Sequence, residues 1–207
     1  MTPTPLHYYC LLMISLLLGL AGCDARSPQA GDVDDARIIA APTSEPGSWL
    51  THGQSYKEQR FSKLTQINQD NIDALGLAWH KQIGDFNMRM QGTPLVVDGV
   101  MYVTNGWSAV FALDAATGVE IWRYDPQVDR SYVRLACCGP AHNRGVAVYR
   151  GKIYVATFDG RLIALNAADG SVHWDIDTWH PSALGRFNIT GAPRAVRGKV
   201  FIGQGSS

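Results

Sequence analysis

The sequence predicts an all-β chain, an incomplete β-propeller of about three blades, on three observations. The first is a repeat. Ala112-Leu113-Asp114-Ala115-Ala116-Thr117-Gly118-Val119-Glu120-Ile121-Trp122 recurs 52 residues later as Ala164-Leu165-Asn166-Ala167-Ala168-Asp169-Gly170-Ser171-Val172-His173-Trp174. The same offset carries Gly99 onto Gly151, Tyr102 onto Tyr154 and Val103 onto Val155, and a third copy begins at Gly198. A period near 50 with a recurring tryptophan is propeller arithmetic. The second is a glycine corner inside each copy: Asp98-Gly99, Arg150-Gly151 and Arg197-Gly198 each divide apolar runs, a hairpin signal. The third is composition. Six tryptophans and eight tyrosines among 207 residues favour packed strands over long helical bundles.

At the amino terminus, Leu11 to Leu20 reads LLMISLLLGL. Ten residues at about 1.5 Å each cannot span a bilayer core of ~30 Å, and the length suits a signal peptide. No Lys or Arg precedes the run, only His7 and the α-amino group. Leu20-Ala21-Gly22-Cys23 resembles the bacterial lipobox, which makes Cys23 the lipidated first residue of the mature protein. An ordinary signal peptide cut near Ala21 or Ala25 is the main alternative, and a retained transmembrane helix the weakest. All three place the chain outside the cytoplasm, and the lipobox reading makes it a periplasmic protein anchored to a bacterial membrane.

Residues 1–23 are thus expected to be a leader. Residues 24–47 (DARSPQAGDVDDARIIAAPTSEPG) are small, polar and broken by proline, and read as a tether with a short helix around Val33 to Ala41. The folded part is then 48–207, opening near Trp49. Leu77-Ala78-Trp79 looks like the end of a preceding unit. In each later unit, strand, glycine corner, strand, Asx turn and strand follow one another. Asp114 or Asn166 can bond its own turn amides, and Gly118 or Gly170 can take positive φ. The closing tryptophan of each unit is expected to pack between neighbouring sheets. From Trp49 onward there is room for about three such units, whereas closure takes roughly four to eight. Three would leave sheet edges open, so the chain is read as part of a larger protein.

Eighteen basic residues balance eighteen acidic ones, so no basic field is available for nucleic acid. Four cysteines are present, at 10, 23, 137 and 138, and only the last two belong to the folded part. Outside the cytoplasm thiols usually pair. Adjacent Cα atoms lie about 3.8 Å apart, below the usual disulfide range of roughly 4.4–6.8 Å, so a bridge would close a strained ring. From the residues alone, a Cys137–Cys138 bridge, two free thiols and a bond to another chain all stand.

The surrounding Leu135-Ala136-Cys137-Cys138-Gly139-Pro140-Ala141-His142-Asn143-Arg144-Gly145 resembles the Cys-Cys…Asn-Arg-Gly segment of the pyrroloquinoline quinone (PQQ) dependent alcohol dehydrogenases. Trp49…His52-Gly53…Tyr56…Glu58-Gln59-Arg60-Phe61-Ser62, Gly92-Thr93-Pro94, Trp107-Ser108 and Ile189-Thr190-Gly191-Ala192-Pro193 are similar to further segments of that family. The resemblance runs from about Val33 onward. It implies an eight-bladed propeller with PQQ stacked near its axis between a vicinal disulfide and a tryptophan. Cys137 and Cys138 would form that disulfide, Arg144 would pair with a cofactor carboxylate, and Thr190 would hydrogen-bond PQQ. Gln91 stands where many members carry a cofactor-contacting Glu, and the Cys138–Arg144 spacer is one residue longer than in some relatives.

In the family a Gly-Ala-Glu follows the segment resembling Ile202-Gly203-Gln204-Gly205, and its Glu binds Ca²⁺. The calcium ligands, the catalytic Asp and the stacking tryptophan are therefore expected beyond Ser207. No C-x-x-C-H occurs, so no haem c site is expected within these residues. The implied parent oxidises a small alcohol to an aldehyde with PQQ and Ca²⁺ and passes electrons to a cytochrome c or similar acceptor. The 207 residues alone are expected to be inactive. The alternative is a lipid-anchored propeller scaffold of the outer-membrane assembly type, binding partner proteins without catalysis. Such a scaffold has no use for Cys137-Cys138 with Asn143-Arg144-Gly145.

Overall fold

The computed structural model describes residues 29–84, 88–134, 139–179 and 187–206. Fourteen strands and one α-helix are named within them. The first full sheet runs β2 (Leu95–Val97), β3 (Val100–Thr104), β4 (Val110–Asp114) and β5 (Glu120–Tyr124), antiparallel and in sequence order. Its successor is β7 (Ala147–Tyr149), β8 (Lys152–Ala156), β9 (Arg161–Asn166) and β10 (Val172–Asp177), paired the same way. A third unit supplies the hairpin β12 (Arg194–Val196) and β13 (Lys199–Phe201). Two short pairs complete the strands: β1 (Arg89–Met90) runs parallel to β6 (His142–Asn143), and β11 (Phe187–Asn188) antiparallel to β14 (Gly205–Ser206). These are the repeats read from the sequence.

Strand alternation explains the layering. On β4, Val110 and Ala112 face one core and Phe111 and Leu113 the opposite one. On β9, Ile163 and Leu165 join the core shared with the first sheet, while Leu162 turns to the third hairpin. A sheet packed on both faces needs such unbroken apolar runs. Exposure rises toward the outer strand, where only Trp122 of β5 is buried.

Both central residues of all three hairpin corners have positive φ: Asp98 and Gly99 at 51° and 78°, Arg150 and Gly151 at 50° and 72°, Arg197 and Gly198 at 50° and 72°. That is the type I′ geometry that matches strand twist. Sheets join through the tryptophans. A Cβ on Gly118 would lie 2.4 Å from Trp79, and one on Gly170 would lie 2.6 Å from Trp122. Each tryptophan thus lies flat on a turn glycine farther along the chain, Trp122 on that of the following unit. The Trp122 indole also donates to the Ala167 carbonyl at 3.1 Å.

The tether expectation needs correction from residue 29 onward. Residues 24–28, like the leader 1–23, lie outside the described residues. Helix α1 (Asp35–Ser44) is capped by the Asp34 carboxylate, which accepts the Arg37 amide at 2.8 Å. Val33 and Ile38 are fully buried in the main core. The Gly31 and Val33 carbonyls accept the Gly151 and Arg150 amides, each at 2.8 Å. The Arg37 guanidinium joins Glu45 at 2.8 Å and Asp98 at 2.6 Å. The Asp35 carboxylate accepts the Arg197 amide at 2.9 Å and the Tyr149 hydroxyl, which itself accepts the Gly198 amide at 3.1 Å. One short segment therefore clamps all three corners. Its polar composition hid this because its partners are backbone groups and charges distant in sequence.

Candidate functional site

At the ends of the inner strands opposite the corners, three leads come together: Gln91-Gly92-Thr93-Pro94 before β2, Asn143-Arg144-Gly145 before β7, and Thr190-Gly191-Ala192-Pro193 before β12. Backbone bonds join them in series. The Thr93 amide donates to the Arg144 carbonyl at 3.3 Å, and the Arg144 amide donates to the Thr190 carbonyl at 3.0 Å. The Arg144 guanidinium then donates to the Thr190 hydroxyl at 2.6 Å. Two residues singled out from the sequence, 46 positions apart, thus meet directly. Arg144 is half-buried and has no ion pair among the described residues. A guanidinium beside a hydroxyl, without its own carboxylate, can receive an anion through several N–H donors.

Asn143 fixes this arrangement. Its buried side-chain oxygen accepts the Thr104 hydroxyl at 2.9 Å and the Gly145 amide at 2.8 Å. Its side-chain nitrogen donates to the Ser108 hydroxyl at 3.1 Å and to the Ala156 carbonyl at 2.8 Å. All four capacities of the amide are used, which makes it a rigid brace between the two sheets. Gly145, at φ 117°, turns the chain where a Cβ would approach the Thr93 carbonyl to 3.1 Å. Within Asn-Arg-Gly, then, the outer residues shape the backbone and set the Arg144 guanidinium against Thr190.

Gln91 is exposed, two residues from Thr93. Cys137 and Cys138, the expected disulfide, lie outside the described residues. The chain on either side of them is anchored. Arg130 sits over the Trp107 ring at 5.5 Å, and Ala141 packs with Val128 and Phe158 in a small core.

Sequence reasoning missed the loop below Arg144. The Arg60 guanidinium donates to the Thr93 hydroxyl at 3.1 Å and the His52 carbonyl at 3.2 Å. Burial pushes the His52 imidazole below its ordinary value, with Arg194 and Arg60 adding to the fall. Glu58 and a hydrogen bond to the Arg144 backbone oppose it. Thr51 Oγ1 and His52 Nδ1 are buried without a hydrogen-bond partner among the described residues, and both residues line a cavity of about 20 Å³, room for about one water. The available signal was the Glu58-Gln59-Arg60 resemblance, which carried no role. Among the described residues no cluster of three or more His, Cys, Asp or Glu side chains forms a metal site. No helix among them is long and apolar enough to cross a membrane.

Comparison with known proteins bears on the family and the fold. Residues 49–179 match the model of the "PQQ: Glucose/ethanol/alcohol dehydrogenase, beta-propeller domain" family. The quinohemoprotein alcohol dehydrogenase ADH-IIG of Pseudomonas putida is 49% identical over 197 residues, 95% of this chain and 27% of its own length. The 1-butanol dehydrogenase (cytochrome c) of Thauera butanivorans is 46% identical over 165 residues, 78% of this chain and 23% of its own. The crystal structure of the quinohemoprotein alcohol dehydrogenase from Comamonas testosteroni superposes with a TM-score of 0.80 at 47% identity, covering 86% of this chain and 26% of that one. The chain spans about a quarter of the length of the curated relatives it matches.

Proposed function

The chain belongs to the PQQ glucose/ethanol/alcohol dehydrogenase β-propeller family, and on that premise we propose that it is the amino-terminal part of an alcohol-oxidising quinoprotein. The observation that carries the proposal is the Arg144–Thr190 pair at the meeting of three inner-strand leads. PQQ is a tricyclic anion with carboxylates, and a half-buried guanidinium without an acidic partner among the described residues fits one of them. Arg144 would hold that carboxylate through its remaining N–H donors while Thr190 keeps the guanidinium plane fixed. Cys137 and Cys138 would supply the platform for the ring, and Gln91 a neutral hydrogen-bonding contact. Bound PQQ supplies the two-electron acceptor that alcohol oxidation needs and that no side chain provides.

The residues of this chain bind and orient. The acid–base group and the calcium ligands are assigned to parts of the enzyme outside residues 1–207, and this chain alone is proposed to be inactive. The substrate proposed is a small alcohol, the product an aldehyde, and the electron acceptor a cytochrome c or similar protein, in keeping with the names of the relatives. A periplasmic location with a lipid on Cys23 follows from the lipobox reading. The test is reconstitution of a full-length enzyme carrying this segment with PQQ and Ca²⁺. Cofactor-dependent reduction of an artificial acceptor by primary alcohols is expected, and Arg144→Ala should reduce it sharply. A full-length protein that neither binds PQQ nor oxidises alcohols would refute the proposal.

A further inference from the structure

The loop from His52 to Arg60 is held in an uncommon shape. Gln54, Glu58 and Arg60 all have positive φ, at 76°, 51° and 51°, although none is glycine. Such backbone persists only where the surroundings over-determine it. Here the Arg60 amide donates to the Gly53 carbonyl at 3.1 Å. The nearby Glu58 carboxylate is taken by Arg194 at 3.1 Å. Arg60, with no ion pair among the described residues, instead turns one guanidinium nitrogen to both His52 and Thr93. Thr93 is the first link of the series that runs on to Arg144 and Thr190.

We infer that Arg60 is a positioning residue for the Arg144–Thr190 anion pocket, acting through the Thr93 hydroxyl and making cofactor affinity depend on the amino-terminal loop. The inference rests on the proposed PQQ function. Arg60 fixes the Thr93 rotamer, the Thr93 amide fixes the Arg144 carbonyl, and the Arg144 amide is registered on Thr190. Loss of the first bond loosens the pocket before the cofactor arrives, so the cost is paid on binding. An exposed bond of this kind adds little to overall stability.

The test is titration of full-length apo-enzyme with PQQ for wild type, Arg60→Gln, Thr93→Val and the double variant, with Thr93→Ser as the hydroxyl-preserving control. Each single variant is expected to weaken binding about tenfold, the double variant no further, and Thr93→Ser to bind like wild type. Apo melting temperatures should stay within about 2 °C. Amide exchange in the cofactor-free protein should quicken at Thr93 and Arg144 in Arg60→Gln and stay unchanged along β9. Wild-type affinity in Arg60→Gln, additive losses in the double variant, or unaltered exchange at Thr93 and Arg144 would each overturn the inference. If wild type itself binds no PQQ, the functional reading fails first and takes this inference with it.

Discussion

Replacing Gly170 by alanine probes how one sheet grips the next. Gly170 sits at φ 73°, and an added Cβ would come within 2.6, 2.9 and 3.1 Å of three Trp122 ring atoms. The left-handed backbone alone costs a non-glycine residue roughly 1–2 kcal/mol. The clash cannot be relieved cheaply, because the indole is held by its bond to Ala167 at 3.1 Å and by the Tyr102 ring at 5.9 Å. Overpacking against a fixed neighbour adds roughly 1–3 kcal/mol, so the whole loss is about 2–5 kcal/mol. Gly99→Ala is the matched control. Its φ is 78° and nothing lies within 4 Å of the new Cβ, so only the backbone part of about 1–2 kcal/mol is expected. Gly118→Ala should behave like Gly170→Ala, since Trp79 lies 2.4 Å from its Cβ position. In a Trp122→Ala background the extra cost at Gly170 should vanish, because the ring that caused it is gone. Equilibrium urea unfolding followed by circular dichroism at constant m measures all of these. If Gly170→Ala and Gly99→Ala differed by less than about 0.5 kcal/mol, or the extra cost survived without Trp122, the tryptophan-on-glycine account would be wrong.

Two further outcomes test the amino-terminal half. The Tyr149 hydroxyl, then the Arg197 amide and the Tyr56 hydroxyl, hold the Asp35 carboxyl down at about 2 from an ordinary 3.8. A depressed carboxyl stabilises the fold above its unfolded value and loses that contribution as pH falls through its folded one. Wild type should therefore lose stability from about pH 4 to pH 2 more steeply than Asp35→Asn. Parallel unfolding midpoints of the two proteins across that window would dismiss Asp35 as a clamp. At the leader, mass spectrometry of membrane-extracted protein should find a lipid on Cys23 as the first mature residue, and Cys23→Ser should release the protein from the membrane. An unmodified amino terminus at another position would remove the anchor from the proposal.

What could be read from the sequence divides by distance along the chain. The hairpin corners were legible at Asp98-Gly99, Arg150-Gly151 and Arg197-Gly198, because type I′ turns impose their demand on two adjacent residues. The Asx turns were legible for the same reason: Asp114 accepts the Thr117 amide at 2.8 Å and Asn166 the Ala168 amide at 3.0 Å. The tryptophan–glycine motif was visible, but its pairing was not. Trp122 serves Gly170 of the following unit and not Gly118 of its own. The short helix expected around Val33 to Ala41 forms as α1, but its docking was not legible, since the partners at Asp98, Arg150 and Arg197 are 61 or more residues away from those that hold them. At the site, Arg144 and Thr190 were legible only through family resemblance, and the bracing by Asn143 and the reach of Arg60 were not legible at all. The two nonlocal features sit at opposite ends of the same strands. Inner strands β2, β7 and β12 have three residues each, which is about 10 Å of strand. The α1 segment closes one end of that span, and the Thr93–Arg144–Thr190 series closes the other. Because a packed strand cannot stretch, fixing the corners also fixes the height of the strand leads. The segment read as a tether therefore sets where Arg144 stands, the residue proposed to hold the cofactor carboxylate.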